Sequence, residues 1–408
     1  MARRTGPVTP MTTSGTIIII VGGGVVGSSI AYHLRRDGHD GPLLVVERDP
    51  TYARASSSLA MGGVRQQFSS AVNIQLARYG RRFYSEFDDA MRVPGHRPRV
   101  NFRSRGYLFL VDEASSERFE ARVERQRALG AQVERLDLDT LADRLPGVRL
   151  DDIRFGVFGA DDGYLEPREV LSGFRAAAMA LGAEFVQAEV TDLLLRSDRI
   201  VGVELADGTR LSGDGVVNAA GPFAARLGAM AGLELPVQPV RQHLFRCALP
   251  IRWPYRFPVL IDPTGVHWRH DDPATESDPD RLVVACTRLD EPPGENFECD
   301  FSRWESDFRP PLVRRVPELD SADLVLVDGW AGLYAMTPDH NPILGEHPDA
   351  PGFFLANGFS GHGLMIAPAV GKVMSELIRT GRSDTVDVST LDPGRFDRNE
   401  LVDDEAMI

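Results

Sequence analysis

The sequence predicts an α/β protein in which a Rossmann-like unit is interleaved with an α+β unit built on a mostly antiparallel sheet. Two observations favour this fold class. Near the start of the chain, a buried strand, a glycine-rich turn, a helix and a second buried strand follow one another, which is the order of a Rossmann unit. Far from that unit, residues 257–272 and 282–288 have the β-branched and aromatic composition of further strands.

The first strand and its turn are the clearest local signals. Residues 16–21 are all β-branched, which is typical of a strand buried on both faces. Residues 22–27 then fit the pattern G-x-G-x-x-G. Residues 28–35 carry apolar side chains at helical spacing, and Gly38 ends this predicted helix.

Each part of this motif has a physical reason to bind a dinucleotide. Gly22 permits a tight turn, Gly24 lets the backbone approach a pyrophosphate, and Gly27 lets the helix pack closely on the strand. Residues 43–46 form a second apolar strand, and Glu47 at its end accepts hydrogen bonds from a ribose. A glycine-rich turn without a ligand would not require an acid at that spacing. The predicted dinucleotide site comprises Gly22, Gly24, Val25, Val26, Gly27 and Glu47.

Composition and charge argue against several other classes of protein. The 408 residues include 59 acidic and 45 basic side chains, and the net charge of −14 disfavours nucleic-acid binding. Cys247, Cys286 and Cys299 lack Cys-x-x-Cys spacing, so we expect no metal site and no disulfide framework, and we expect a cytoplasmic location. The apolar run 17–21 is too short to cross a bilayer, and residues 1–15 are predicted to form a flexible extension.

Five further segments identify a family resemblance. They are 55–68, 163–167, 216–222, 332–339 and 358–365. In this order they resemble the D-amino acid oxidase and sarcosine oxidase superfamily of FAD-dependent enzymes. Because the matching segments are spread along most of the chain, the resemblance implies that a cofactor unit and a substrate unit interleave.

The resemblance also implies how FAD is held. Small and hydroxylic residues after the second strand would follow its phosphates and ribityl chain. The glycine-rich loop 357–363 and the helix predicted at 364–378 would direct the positive end of a helix dipole at the flavin, where it stabilises negative charge. The cofactor residues implied in this way are Arg48, Ser57, Ser58, Gly63, Val190, Ala220, Gly221, Gly361, His362, Gly363, Leu364 and Met365.

Three residues are implied as catalytic. Arg65 aligns with the arginine that binds the substrate carboxylate, a task that suits its planar fork. Tyr334 aligns with an aromatic residue close to the flavin, and His362 adds a donor in the glycine-rich loop. Each has a structural alternative: an ion pair at the surface or between domains for Arg65, a core tyrosine for Tyr334, and a backbone-bonded loop histidine for His362.

The departures from the family pattern concern flavin attachment and oxygen. Gly332 stands where monomeric sarcosine oxidases carry the cysteine that bonds to flavin. Other relatives attach flavin through a histidine near the position of Ala60, and this chain has none there, so FAD is predicted to be non-covalent. Two family lysines are also missing, one from the strand 281–285 and one at Met365. Lys372 is the only lysine of the chain, and its place in the C-terminal helix prevents it from replacing either one.

The domain boundaries follow from the positions of the motifs. We predict an FAD-binding domain from residues 16–95, 156–230 and 326–385. The substrate domain is predicted to comprise residues 96–155 and 231–325, and residues 386–408 are predicted to form an acidic, frayed tail.

The predicted function is oxidation of a small-molecule amine. An FAD-dependent oxidoreductase would take a hydride from the α C–H of a primary or secondary amino acid similar to sarcosine, glycine or proline, and the imine would hydrolyse. Electrons would pass to oxygen or to a partner protein. Two alternatives stay open. One is a β-type subunit of a multi-chain amine dehydrogenase, as segment 330–334 resembles sarcosine and proline dehydrogenase subunits. The other is a non-catalytic FAD-bearing assembly factor.

Overall fold

A computed structural model describes residues 15–249, 251–271, 280–287, 290–320 and 324–402. The flexible extension predicted for residues 1–15 therefore lies, apart from Gly15, outside the described residues.

The strands of the described chain are four to seven residues long in most cases, with two long ones in the second half. In chain order they are β1 (Ile18–Val21), β2 (Leu43–Glu47), β3 (Gly63–Val64), β4 (Tyr107–Val111), β5 (Val133–Leu136), β6 (Phe155–Gly159), β7 (Gly163–Tyr164), β8 (Glu184–Gln187), β9 (Val190–Arg196), β10 (Arg199–Leu205), β11 (Arg210–Ser212), β12 (Gly215–Asn218), β13 (Gln238–Ala248), β14 (Val259–Ile261), β15 (Val266–Asp271), β16 (Arg281–Cys286), β17 (Val325–Met336), β18 (Ile343–Glu346) and β19 (Phe353–Asn357).

The helices include one of 18 residues near the end of the described chain. In chain order they are α1 (Val25–Arg36), α2 (Ser56–Leu59), α3 (Ala71–Ser85), α4 (Phe87–Ala90), α5 (Ser116–Ala128), α6 (Leu138–Arg144), α7 (Pro167–Ala180), α8 (Ala224–Met230), α9 (Arg309–Arg315) and α10 (Gly363–Thr380). Within the described ranges, no helix is both long enough and apolar enough to span a membrane.

A six-stranded sheet forms the Rossmann-like half, in the order β18-β19-β12-β1-β2-β8. Its pairs are parallel except for β18 with β19. The strand β1 is buried throughout, as its apolar sequence predicts. Alternate residues point to opposite faces: Ile18 and Ile20 pack towards α1 and α10, whereas Ile19 and Val21 pack towards β9, β10 and α8.

An eight-stranded sheet forms the other half, in the order β17-β13-β16-β15-β14-β4-β6-β5. Its pairs are antiparallel except for β14 with β4. One face packs on α6, α9 and the π-helical turn Trp304–Phe308. The strands β6 and β17 belong to this sheet by hydrogen bonding, although they lie almost entirely within ranges that the sequence assigned to the FAD-binding domain.

Most residues of the segment 386–396 are buried or half-buried, so the expectation of a frayed tail is wrong there, whereas residues 397–401 are exposed. Val386, Val388 and Leu391 are buried. Arg395 is fully buried and binds both carboxylate oxygens of Asp339, at 2.8 and 3.0 Å. The acidic composition suggested solvation, but a buried partner in the loop after β17 attaches the segment to the fold. Residues 403–408 of the predicted tail lie outside the described residues.

Candidate active site

The turn between β1 and α1 requires glycine at two positions. Gly22 has a φ of +103°, and a Cβ there would lie 2.4 Å from the carbonyl oxygen of Ala219. A Cβ on Gly27 would lie 1.9 Å from the carbonyl oxygen of Gly22. The close contact of α1 with the strand therefore excludes any side chain, which is the packing role that the motif predicts for Gly27.

The N-terminus of α1 is a candidate anion site. Its N-cap is Gly24, which has no side chain, and the first turn contains no acidic residue. The N–H of Val25 donates to Oγ of Ser57 at 3.0 Å, so Ser57 lies beside this helix end. Glu47 accepts hydrogen bonds from the N–H of Gly23 at 2.8 Å and from that of Asp49 at 2.9 Å, which fixes its carboxylate next to the turn. A phosphate group fits a helix end of this kind.

One cavity of about 860 Å³ extends from this turn to the eight-stranded sheet. This volume lies in the upper part of the range, about 300–1,000 Å³, of small-molecule and cofactor sites. Most predicted site residues line it, but Gly27 and Ser58 do not. The predicted residues that line the cavity are Gly22, Gly24, Val25, Val26, Glu47, Arg48, Ser57, Gly63, Arg65, Val190, Ala220, Gly221, Tyr334, Gly361, His362, Gly363, Leu364 and Met365.

The helix α10 points its N-terminus into the same cavity. His362 is its N-cap residue, and the preceding Gly361 has a φ of +94° and lies against the ring of Tyr334. Pro368 has no N–H to donate to the carbonyl of Leu364 four residues earlier. The hydroxyl of Tyr84 donates to that carbonyl instead, so the proline lies within the helix without leaving the acceptor unpaired.

Arg65 is buried, with 2% of its surface exposed, and lines the cavity. Its guanidinium lies over the rings of Phe68 and Phe109, at 4.3 and 5.5 Å from their centroids. It donates to the carbonyl of Gln67, and its Nη2 lies 3.4 Å from Nε2 of His362. This burial excludes the surface ion pair that was the alternative for Arg65.

His362 and Tyr334 lie beside Arg65. The imidazole of His362 packs edge-on against Phe68 with centroids 4.9 Å apart. Burial raises the pKa of Tyr334, with a smaller opposing effect from the charge of Arg65, so its hydroxyl stays protonated at neutral pH. The structure therefore brings together the three residues predicted as catalytic.

Several cavity residues of the eight-stranded sheet were not predicted from the sequence. Burial raises the pKa of Tyr107 to about 12 and lowers that of His267 to about 4, and both side chains line the cavity. Outside the cavity lining, burial raises the pKa of Asp162 to about 7 against the hydrogen bonds from Gln66 and the charge of Arg65. Alternation along strand 266–271 was the available signal for His267, but the direction of that alternation depends on distant strand pairing.

Comparison with known proteins agrees with this geometry. The sequence profile of the family described as "FAD dependent oxidoreductase" (DAO) matches residues 18–377. FAD-dependent oxidoreductase domain-containing protein 1 of Bos taurus is 31% identical, over 96% of this chain and 87% of that protein. Mitochondrial dimethylglycine dehydrogenase of Mus musculus is 28% identical, over 93% of this chain and 44% of that protein.

Among solved structures, L-proline dehydrogenase from P. horikoshii is similar. It is 26% identical with a TM-score of 0.85, over 95% of this chain and 99% of that chain. The family match covers most of the chain, and the fold agrees with it. The chain therefore belongs to the DAO family of FAD-dependent oxidoreductases.

Proposed function

We propose that this FAD-dependent oxidoreductase removes a hydride from the α C–H of a primary or secondary amino acid similar to sarcosine, glycine or proline, and that the resulting imine hydrolyses in water. The observation that carries the proposal is Arg65, a buried guanidinium that faces the cavity beside the N-terminus of α10. A guanidinium in such a position suits a carboxylate, which it binds through two parallel hydrogen bonds.

The residues present fit FAD. The open N-terminus of α1 suits the pyrophosphate, and Glu47 at the end of β2 suits a ribose. FAD, when bound, supplies a two-electron acceptor for the hydride. Ala60 and Gly332 line the cavity, and neither has a nucleophilic group that could bond to flavin, in keeping with the predicted non-covalent attachment.

The residues of the cavity orient the substrate and exclude water. Arg65 binds the carboxylate, and the protonated hydroxyls of Tyr107 and Tyr334 donate hydrogen bonds within the same cavity. Leu244 and Ala285 give the opposite wall an apolar surface that suits a hydrocarbon side chain. The N-terminus of α10 stabilises negative charge that develops close to it.

The electron acceptor is proposed to be a protein or another carrier rather than oxygen. Lys372, the only lysine of the chain, binds Asp37 at 3.0 Å and Glu376 at 3.4 Å, outside the residues that line the cavity. The alternative of a β-type dehydrogenase subunit agrees with this proposal. A cytoplasmic location stays a prediction from cysteine usage, since one similar protein is named as mitochondrial.

Anaerobic reduction of the bound flavin by a panel of amino acids tests the proposal. We expect a glycine-, N-methylglycine- or proline-like member to bleach the flavin absorbance, and slow recovery in air but fast recovery with an artificial acceptor. A flavin that no member reduces would contradict the enzyme function and favour the assembly-factor alternative. Acid precipitation tests the attachment: we expect yellow colour in the supernatant, and colour in the pellet would show a covalent bond.

A further inference from the structure

His267 occupies an apolar row of the eight-stranded sheet. On β15 it pairs directly with Ile261 of β14 and Ala285 of β16. Directly paired residues on neighbouring strands point to the same face of a sheet. The row that these pairs define consists of Phe109, Ile261, His267, Ala285, Leu244 and Trp330. His267 is the one residue of this row whose side chain carries a hydrogen-bond acceptor.

The middle of this row lines the cavity, and Arg65 lies at one end of the row. His267, Ala285 and Leu244 line the cavity, and Arg65 lies over Phe109 at one end of the row. His267 is two strands from Phe109, which corresponds to roughly 10 Å because neighbouring strands lie about 4.8 Å apart. An amino acid whose carboxylate binds Arg65 would therefore extend towards His267.

The hydrogen bonding of His267 fixes its tautomer. Its Nδ1 lies 3.0 Å from the carbonyl oxygen of Gly265, and a carbonyl only accepts, so Nδ1 carries the proton. Nε2 of the neutral ring is then an acceptor. Burial, together with the charge of Arg65, lowers the pKa of His267 to about 4, so the ring stays neutral at pH 7. Among the described residues, none makes a hydrogen bond to Nε2.

We propose that Nε2 of His267 accepts a hydrogen bond from the nitrogen of the bound amino acid and thereby selects substrates whose neutral amine carries an N–H. This inference rests on the proposed function. Primary and secondary amines have such an N–H, but a neutral tertiary amine would place a methyl group against Nε2 and leave this buried acceptor unsatisfied. One similar protein is named for proline, a secondary amine, and another for dimethylglycine, a tertiary amine. The proposal places this chain with the first.

The test compares matched substrates in the flavin-loaded protein. Proline and N-methylproline form one pair, and N-methylglycine and N,N-dimethylglycine form the other. For each pair we measure the ratio of the rate constants of anaerobic flavin reduction. In the wild type we expect the N–H member to react roughly 10-fold faster or more, as for one unsatisfied buried hydrogen bond.

Two substitutions distinguish the role of Nδ1 of His267 from that of Nε2. His267→Asn retains a donor for the carbonyl of Gly265 but lacks the distal acceptor, so we expect the ratio to fall roughly 10-fold. His267→Gln places an amide near the position of Nε2 and should retain most of the preference. His270→Asn is the matched control: it lies on the same strand but on the opposite face, where its ring stacks on Phe257, and should leave the ratio unchanged.

Equilibrium binding gives a readout that needs no turnover. Methoxyacetate has the shape of N-methylglycine, but an ether oxygen replaces the N–H. We expect it to bind the His267→Asn variant at least as tightly as the wild type, because two acceptors no longer face each other. The perturbation of the flavin absorbance spectrum measures this binding.

The outcomes distinguish the two proposals. If the wild-type flavin is reduced and the His267→Asn variant keeps the wild-type ratio, the role of His267 is wrong and the proposed function stands. Stronger methoxyacetate binding to the wild type than to His267→Asn would also overturn the role of His267. If none of the four amino acids reduces the wild-type flavin, the proposed function itself fails, and the role of His267 fails with it.

Discussion

Two buried arginines show how the same side chain serves a fold in one region and a site in another. Arg395 in the C-terminal segment and Arg65 in the cavity are 0% and 2% exposed. Arg395 binds both oxygens of Asp339 and the carbonyl of Leu391. Arg65 contacts a carbonyl, the imidazole of His362 and two aromatic rings. Arg395 is thus paired with a carboxylate of the fold, whereas Arg65 lines a cavity.

The neighbouring acids differ in the same way. Burial alone would raise the pKa of Asp339, but the hydrogen bonds and charge of Arg395 lower it overall, so the pair is ionised. Burial raises the pKa of Asp162 near Arg65 to about 7, and the charge of Arg65 lowers it only in part. Below about pH 7 the carboxyl of Asp162 is mostly protonated and therefore offers Arg65 little negative charge. The comparison therefore predicts that Arg395 stabilises the fold and that Arg65 binds a ligand. Mutation of each arginine can test these two roles separately.

Loss of the structural pair should have the largest effect. Arg395→Met leaves the carboxylate of Asp339 buried without its cation, so we expect the free energy of unfolding to fall by about 3–5 kcal/mol. Urea unfolding of the holoprotein measures this loss. Arg398→Met is the control, because Arg398 is half-exposed where it binds Asp392 and Glu400, and solvent screens such pairs so that they add little stability. Equal losses of unfolding free energy in the two variants would contradict the structural role of the buried Arg395 pair.

Loss of Arg65 should act on the ligand. In Arg65→Met we expect N-methylglycine to bind about 2–5 kcal/mol more weakly, or about 30-fold or more, because the carboxylate loses a buried partner. The substrate dependence of anaerobic flavin reduction measures this change. N-methylglycinamide, which lacks the carboxylate charge, should be affected much less. If the substitution weakens the binding of both compounds equally, Arg65 does not recognise the carboxylate.

The pH dependence of stability should report Asp162. Between its ordinary pKa of 3.8 and its folded pKa of about 7, the folded chain holds a proton that the unfolded chain has lost. The free energy of unfolding therefore falls with rising pH in this window, by up to about 1.4 kcal/mol per pH unit from this group, and levels off above it. Asp162→Asn should show a shallower fall in urea midpoints between pH 4.5 and pH 7.5. Parallel profiles would assign Asp162 an ordinary pKa.

The smallest effect is expected at Lys372. Its ammonium is about one quarter exposed and pairs with Asp37 and Glu376, so Lys372→Met should change the free energy of unfolding by about 0–1 kcal/mol. Because this side chain lies outside the cavity, the rate at which air re-oxidises the reduced flavin should not change. A slower re-oxidation in this variant would give the lysine a chemical role and contradict the proposed acceptor.

The sequence predicted those parts of the protein that local backbone chemistry determines. The strand 18–21, the glycines of the following turn and Glu47 are found as the motif requires, since each acts within a few residues of the next. His267 was missed, because its cavity-facing direction depends on pairing with Ile261 and Ala285. Composition cannot reveal such a register.

Arg395 shows a second limit of the sequence. It lies in an acidic, breaker-rich stretch, and the composition there favours solvent exposure. Its partner Asp339 is 56 residues earlier in the chain. Whether a charged residue at a chain end is solvated or buried depends on that distant carboxylate, and a local pattern contains no sign of it.

The order of the six-stranded sheet has a consequence for protein synthesis. In the order of synthesis, β1 obtains its second neighbour only when residues 215–218 emerge, and the side of α1 that faces α10 is covered only when Ser29 reaches the carbonyl of Ala367. The apolar surfaces of β1 and α1 therefore remain partly uncovered until these later elements are made, a state that is prone to aggregation. We expect truncation before α10 to leave the α10-facing side of α1 uncovered and to lower the solubility of the chain.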